Sequence, residues 1–213
     1  DPRCARIDWA ALGRSGGGPG GRAAGSWERY EEDAAAAAAL GANAFRFSVS
    51  WSRVEPRRGE LDEAALARYA RLAAHLVALG LEPVVTLLHY THPRWFHAET
   101  PWTSTTSVEA FARFAARAAR ALAPQARCFT VLNEPFVLVL GGFLDGQVPP
   151  GLSSGRDAAR ALDHLLAAHE AAAAEIRAAV PGAAIGVAHN VMCFAPERTG
   201  HPFDRLLAKV GHR

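Results

Sequence analysis

Residues 129–135 read Phe129-Thr130-Val131-Leu132-Asn133-Glu134-Pro135. The apolar and β-branched run Phe129–Leu132 predicts a short buried strand. It leads straight into an amide, a carboxylate and a proline. Proline cannot donate to a strand ladder, so the strand ends there. A carboxylate placed directly after a buried strand is costly unless it is paired or put to use. Glu134 is therefore the first candidate for chemistry.

The same arrangement recurs on both sides. Upstream, Val84–Leu88 is a β-branched, apolar strand followed by His89. Earlier still, Ala44–Val49 is a short apolar and aromatic strand that carries an arginine inside it, Phe45-Arg46-Phe47-Ser48. Downstream, Ala184–Ala188 reads as a strand followed by His189-Asn190. Helical periodicity fills the gaps. Asp62–Leu79 repeats apolar residues at Leu66, Tyr69, Leu72, Leu76 and Leu79 and stops at Gly80. Thr106 with Glu109 predicts a capping box for a helix reaching Ala123, with a stripe of Val108, Phe111, Phe114 or Ala115, Ala118 and Leu122. Ala158–Val180 is the next helix. Glu28–Leu40, acidic near its start and closed by Gly41, precedes the first strand.

Alternating helices and strands are the pattern of a parallel α/β fold. Two architectures compete, a doubly wound sheet and an eight-stranded barrel. A nucleotide-binding sheet needs a glycine-rich phosphate turn directly after a strand, and none of these strands has one. The run Gly16-Gly17-Gly18-Pro19-Gly20-Gly21 follows no strand. It sits in a segment, residues 1–26, that reads as an exposed loop ahead of a domain spanning 27–213. In a barrel the carboxyl ends of the strands converge on one face, which holds the active site in essentially every characterised case. Taken singly, the polar groups have plainer readings: Arg46 as an ion-paired edge residue, His89 as a structural histidine, His189 and Asn190 as turn residues. Together they point to one rim.

Composition narrows the function. The chain has 213 residues, half of them hydrophobic, and a net charge of only +2 with scattered arginines. No basic stripe suits nucleic acid, and no apolar run spans a membrane. Cys4, Cys128 and Cys193 are odd in number and widely spaced, with no C-x-x-C pattern. No metal site is expected from them, and a reduced, cytoplasmic setting is the default.

Longer motifs give the residues a family likeness. Arg46-Phe47-Ser48-Val49-Ser50-Trp51-Ser52-Arg53 resembles the second-strand motif of glycoside hydrolase family 1. Gly80-Leu81-Glu82-Pro83-Val84-Val85-Thr86-Leu87-Leu88-His89 is similar to its third-strand motif, which ends in a sugar-binding histidine. Thr130-Val131-Leu132-Asn133-Glu134-Pro135 resembles the fourth-strand motif, and Ile185-Gly186-Val187-Ala188-His189-Asn190 the fifth. The resemblance implies a (β/α)8 TIM-barrel type of fold, present here as an incomplete barrel covering strands two to five. It also implies a β-glucosidase-like enzyme that cleaves a small-molecule β-glycoside by a retaining, two-carboxylate mechanism with no cofactor. By the same resemblance Glu134 is the catalytic acid/base, and Asn133 bonds the sugar hydroxyl beside the reacting carbon. His89 donates to another hydroxyl, Tyr90 stacks on the sugar, and Asn190 faces the leaving group. Arg46 holds the attacking carboxylate ionised and oriented.

There are departures. The family's third-strand motif commonly continues as Trp-Asp-Leu-Pro, where this chain has Tyr90-Thr91-His92-Pro93. No first strand with a sugar-binding glutamine precedes Trp27, and no Thr-Glu-Asn-Gly type motif supplies the nucleophile. Glu55, Glu99, Asp145 and Glu197 fall in loops with no reason to sit opposite Glu134. The expectation is a fragment that lacks its nucleophile and is inactive alone. The alternative is a truncated, non-catalytic carbohydrate-binding remnant. A third reading is another barrel glycosidase family with the same Asn-Glu-Pro strand end.

Overall fold

Four parallel strands hydrogen-bond in the order in which the chain makes them. They are β1 (Ala44–Ser48), β2 (Glu82–Leu88), β3 (Cys128–Asn133) and β4 (Ala184–Ala188). A doubly wound sheet reverses its strand order at a switch point. Here the order never reverses, which is how one arc of a barrel is laid down. This computed structural model describes residues 25–191 and 193–211, so the glycine-rich run lies outside the described residues. Among the described residues the sheet stays open, an incomplete α/β fold with no closed barrel.

The helices are α1 (Ser26–Ala39), α2 (Trp51–Val54), α3 (Glu63–Ala78), α4 (Arg94–Glu99), α5 (Thr106–Leu122), α6 (Pro135–Val139), α7 (Gly155–Ala179) and α8 (Pro202–Gly211). A π-helical turn, Leu140–Leu144, follows α6. Each link between strands thus holds a short helix just past the strand end and a long one that returns. The long helices are the periodic segments of the sequence. The short ones span too few residues to show a period.

Side-chain alternation sorts the two faces of the sheet. Phe45 and Phe47 pack with Ala34 of α1 and with Leu72 and Leu76 of α3. Arg46, between them, therefore belongs to the opposite face. The long helices pack mainly through α5 and α7. Phe111, Phe114, Ala115, Ala118 and Leu122 of α5 are buried, as are Ala161, Leu165, Ala168, Ala172 and Ile176 of α7. Alanine on both sides lets the two helices pack closely without large side chains to order.

The predicted capping box is not formed. Helix α5 starts at Thr106 itself, and Thr105 before it already has helical backbone, φ −60° and ψ −25°. A cap residue needs extended backbone to aim its oxygen at the first turn. Glu109 instead accepts from Arg113 Nη1 at 2.9 Å, one turn along the same helix. Caps do form elsewhere. Asp62 accepts from the Ala65 N–H at 2.9 Å, and Ser154 from the Asp157 N–H at 3.3 Å. The Ser154 cap starts α7 at Gly155, three residues before the periodicity of the sequence suggests.

An aromatic cluster anchors α2 to α4 and α5. Trp51 is 1% exposed and lies parallel to Phe114, with ring centroids 5.0 Å apart. Its indole N–H donates to Glu55 Oε2 at 2.8 Å, and the Gly59 N–H donates to the other oxygen at 2.8 Å. The buried Glu55 carboxylate is thereby satisfied and serves the core.

Farther along, His92 is buried and its pKa is pushed down to about 3, by burial first and then by His97. A folded-state value below the unfolded one, near 6.5, means that the unfolded chain takes up a proton that the folded chain refuses. Stability should therefore fall as pH drops from about 6.5 toward 3, by up to about 1.4 kcal/mol per pH unit. Urea unfolding at several pH values should show that slope in the native sequence and a shallower one in His92→Leu.

Candidate active site

Glu134 owes its position to its backbone. Its N–H still joins the ladder, donating to the Ala188 carbonyl of β4 at 2.7 Å. Its own φ of 47° and ψ of 59° are left-handed, so the chain turns within one residue. Pro135 then opens α6 at a position where its missing N–H costs nothing. The carboxylate is left half-buried at the strand tip. Tyr90, just past β2, is the other non-glycine residue with positive φ among the described residues, at 64°. Left-handed backbone costs a side-chain-bearing residue about 1–2 kcal/mol. Both cases lie at the carboxyl ends of neighbouring strands.

Their side chains meet. The Tyr90 hydroxyl donates to Glu134 Oε2, and Asn133 Nδ2 stands 3.4 Å from the same oxygen. Asn133, only 7% exposed, accepts through Oδ1 from Arg46 Nη2 at 2.6 Å. Arg46 Nε donates to the fully buried Thr86 Oγ1 at 2.7 Å. A continuous polar chain thus crosses β1, β2 and β3. Beside it Ser48 Oγ and His89 Nδ1 are 2.7 Å apart, and the His89 ring lies 5.3 Å from that of Tyr90. The His89 pKa is lowered, by partial burial first and then by the Arg46 charge, with Glu134 acting the other way. The imidazole is therefore neutral near pH 7 and can hydrogen-bond through Nε2 while Nδ1 faces Ser48.

Of the six residues nominated from the sequence, Arg46, His89, Tyr90, Asn133 and Glu134 gather at this rim. Asn190 lies two residues past β4, is exposed, and takes no part in these hydrogen bonds. Two participants, Ser48 and Thr86, were not nominated. Thr86 does leave a signal, as a polar residue inside an otherwise apolar buried strand. The pairing of Ser48 with Thr86 in the β1–β2 register brings the two strands' polar positions together. Among the described residues, no three His, Cys, Asp or Glu side chains form a group that could hold a metal.

Comparison with known proteins assigns the class. The sequence profile of glycosyl hydrolase family 1 matches residues 14–209, nearly the whole chain. The chain belongs to glycosyl hydrolase family 1. Two family 1 relatives show the extent of the match. Beta-glucosidase A of Thermotoga maritima is 30% identical over 171 residues, covering 80% of this chain and 38% of its own length. Beta-glucosidase 6 of Oryza sativa subsp. japonica is 30% identical over 187 residues, covering 80% of this chain and 36% of its own. In three dimensions, the family 1 β-glucosidase from Thermotoga maritima matches with a TM-score of 0.82 at 29% identity, covering 88% of this chain and 42% of that one. This chain spans less than two fifths of the length of these two curated relatives. Other structures of the Thermotoga maritima enzyme are complexes with isofagomine lactam and with deoxynojirimycin.

Proposed function

We propose that this chain carries the acid/base side of a retaining, β-glucosidase-like active site, with Glu134 as the residue that gives and takes the proton. The observation that carries this reading is the unequal treatment of the two Glu134 oxygens. Oε2 is held by Tyr90 and approached by Asn133. Oε1 makes no hydrogen bond among the described residues. A carboxyl group anchored by one oxygen and open at the other can present its proton in a fixed direction. That is what protonation of a departing glycosidic oxygen requires.

In the first step the Glu134 proton moves to the glycosidic oxygen as the bond to the sugar breaks, and a second carboxylate bonds to the sugar carbon. In the second step Glu134 takes a proton from the water that displaces that carboxylate. Asn133 and His89 are assigned to sugar hydroxyls and Tyr90 to the face of the ring. Asn190 is assigned to the leaving-group side, and Arg46 to the attacking carboxylate. The complexes of the Thermotoga maritima relative with isofagomine lactam and deoxynojirimycin support a small-molecule substrate.

The attacking carboxylate is assigned to residues outside these 213. Glu55 is bound by Trp51 and Gly59, and Glu99 pairs with Arg58 at 3.1 Å. The test compares this chain with a family-length polypeptide that contains it, using 4-nitrophenyl β-glucoside. The longer protein should release β-glucose first, read by proton NMR, and the chain alone should give no steady turnover. Initial release of α-glucose would overturn the retaining mechanism. Steady turnover by the chain alone, lost in Glu134→Ala, would show that the nucleophile is among these residues.

A further inference from the structure

Thr86 is the one polar residue in the buried stretch of β2, and its side chain is fully buried. Valine would fill the same space in a strand and need no hydrogen-bond partner. The Thr86 hydroxyl instead accepts from Arg46 Nε at 2.7 Å, out of the neighbouring strand β1. On the other side of β2, Asn133 Oδ1 of β3 accepts from Arg46 Nη2 at 2.6 Å. A planar fork held at two of its nitrogens cannot swing without breaking a bond.

Both holders are neutral. Among the described residues no carboxylate forms an ion pair with Arg46, and its Nη1 makes no hydrogen bond. The positive charge is thus fixed in direction and left for a partner outside this set. The same bonds settle how Asn133 lies. With Oδ1 given to the guanidinium, Nδ2 is the end turned toward Glu134, 3.4 Å from Oε2.

We infer that Thr86 is a positioning residue of the glycosidase site, its hydroxyl aiming the Arg46 guanidinium so that Nη1 meets the attacking carboxylate. The role rests on the assignment of Arg46 to that carboxylate. A guanidinium held beside a carboxylate favours its ionised form, and a fork already in place has less freedom to lose on pairing. Thr86 is buried away from any substrate and acts only through Arg46.

Two measurements test this. The first uses the 213-residue chain and reads hydrogen exchange of the Arg46 Nε–H by nitrogen–proton NMR, the signal being identified by its loss in Arg46→Lys. That proton should exchange at least tenfold more slowly than the Nε–H of Arg57, whose side chain is 79% exposed. Thr86→Val should erase the difference, and Thr86→Ser should keep it. The second follows kcat/KM against pH for 4-nitrophenyl β-glucoside in a family-length polypeptide containing this chain. Its acid limb reports ionisation of the attacking carboxylate in the free enzyme. A loosened Arg46 favours that ionisation less, so Thr86→Val should move the limb to higher pH by about half a unit to one unit. It should also lower kcat/KM near neutral pH by about ten- to a hundred-fold. Thr86→Ser should restore both. A hydroxyl that served only the fold would lower activity without moving the limb. Equal exchange at Arg46 and Arg57 in the native chain, or an acid limb that stays in place in Thr86→Val, would overturn the role of Thr86. A longer native protein without turnover would sink the glycosidase reading instead, while the exchange rates would still judge the hold of Thr86 on Arg46.

Discussion

Glu134→Gln, made in a family-length polypeptide containing these residues, should slow hydrolysis of an alkyl β-glucoside by about a hundred- to ten-thousand-fold. A dinitrophenyl glucoside should suffer far less. A general acid matters in proportion to how badly the leaving group needs a proton. Dinitrophenolate leaves as a stable anion, whereas an alkoxide does not leave unprotonated. Glutamine keeps the shape of the side chain and can still accept from Tyr90, so the rim geometry survives while the transferable proton is gone. The second step loses its base too, so the glycosyl-enzyme should accumulate on the activated substrate and appear as a burst of dinitrophenolate. Azide, which attacks without needing deprotonation, should restore turnover and yield a β-glycosyl azide. Equal slowing of both substrates with no azide effect would remove Glu134 from the acid/base role.

The largest stability effect should come from Trp51→Ala. Removing a fully buried tryptophan costs about 3–5 kcal/mol through lost transfer energy and the void left behind. Here the indole also donates to Glu55 Oε2 at 2.8 Å, so the substitution strands one oxygen of a carboxylate that is 8% exposed. A buried acceptor left without its donor adds a further destabilisation of about 1–3 kcal/mol. The sum is comparable to the whole stability of a typical domain. We expect no cooperative unfolding transition for Trp51→Ala in circular dichroism. The double substitution Trp51→Phe with Glu55→Gln, which keeps an aromatic ring and removes the charge, should recover part of it. A cooperative transition at the parental temperature in Trp51→Ala would refute this account of the core.

The reading from sequence succeeded where a local signal mirrors a tertiary fact. Val84–Leu88 is mostly apolar because successive residues of β2, which point to opposite faces of the sheet, are nearly all buried, and α3 shows its period because one face meets the sheet. Arg46, His89, Asn133 and Glu134 were legible because each follows or interrupts an apolar strand, whereas Tyr90 was nominated through the family resemblance. Choosing between a barrel and a doubly wound sheet needed the absence of a phosphate turn, and the unreversed strand order agrees with that choice. The matching family profile counts against the third functional reading, another barrel family. Other features depend on distances that no pattern encodes. The capping box failed because Thr105 is already helical and Arg113 offers Glu109 a closer partner. Thr86 and Ser48 needed the strand register before their partners could be named. The packing of His92 against Phe96 and Trp102 depends on α4, a helix of six residues too short to show a period in advance.

The left-handed backbone at Tyr90 and Glu134 has a consequence for anyone improving this protein. Glycine at either position would relax the local geometry at no steric cost. A library ranked only by heat tolerance will therefore tend to enrich the variants that erase the rim. Among the described residues these are the only non-glycine positions with positive φ, and their side chains meet at Glu134 Oε2, so relief of strain and the proposed chemistry pull in opposite directions there. A stabilisation campaign should hold both residues fixed and seek its gains elsewhere, for example on exposed helix faces far from the strand tips.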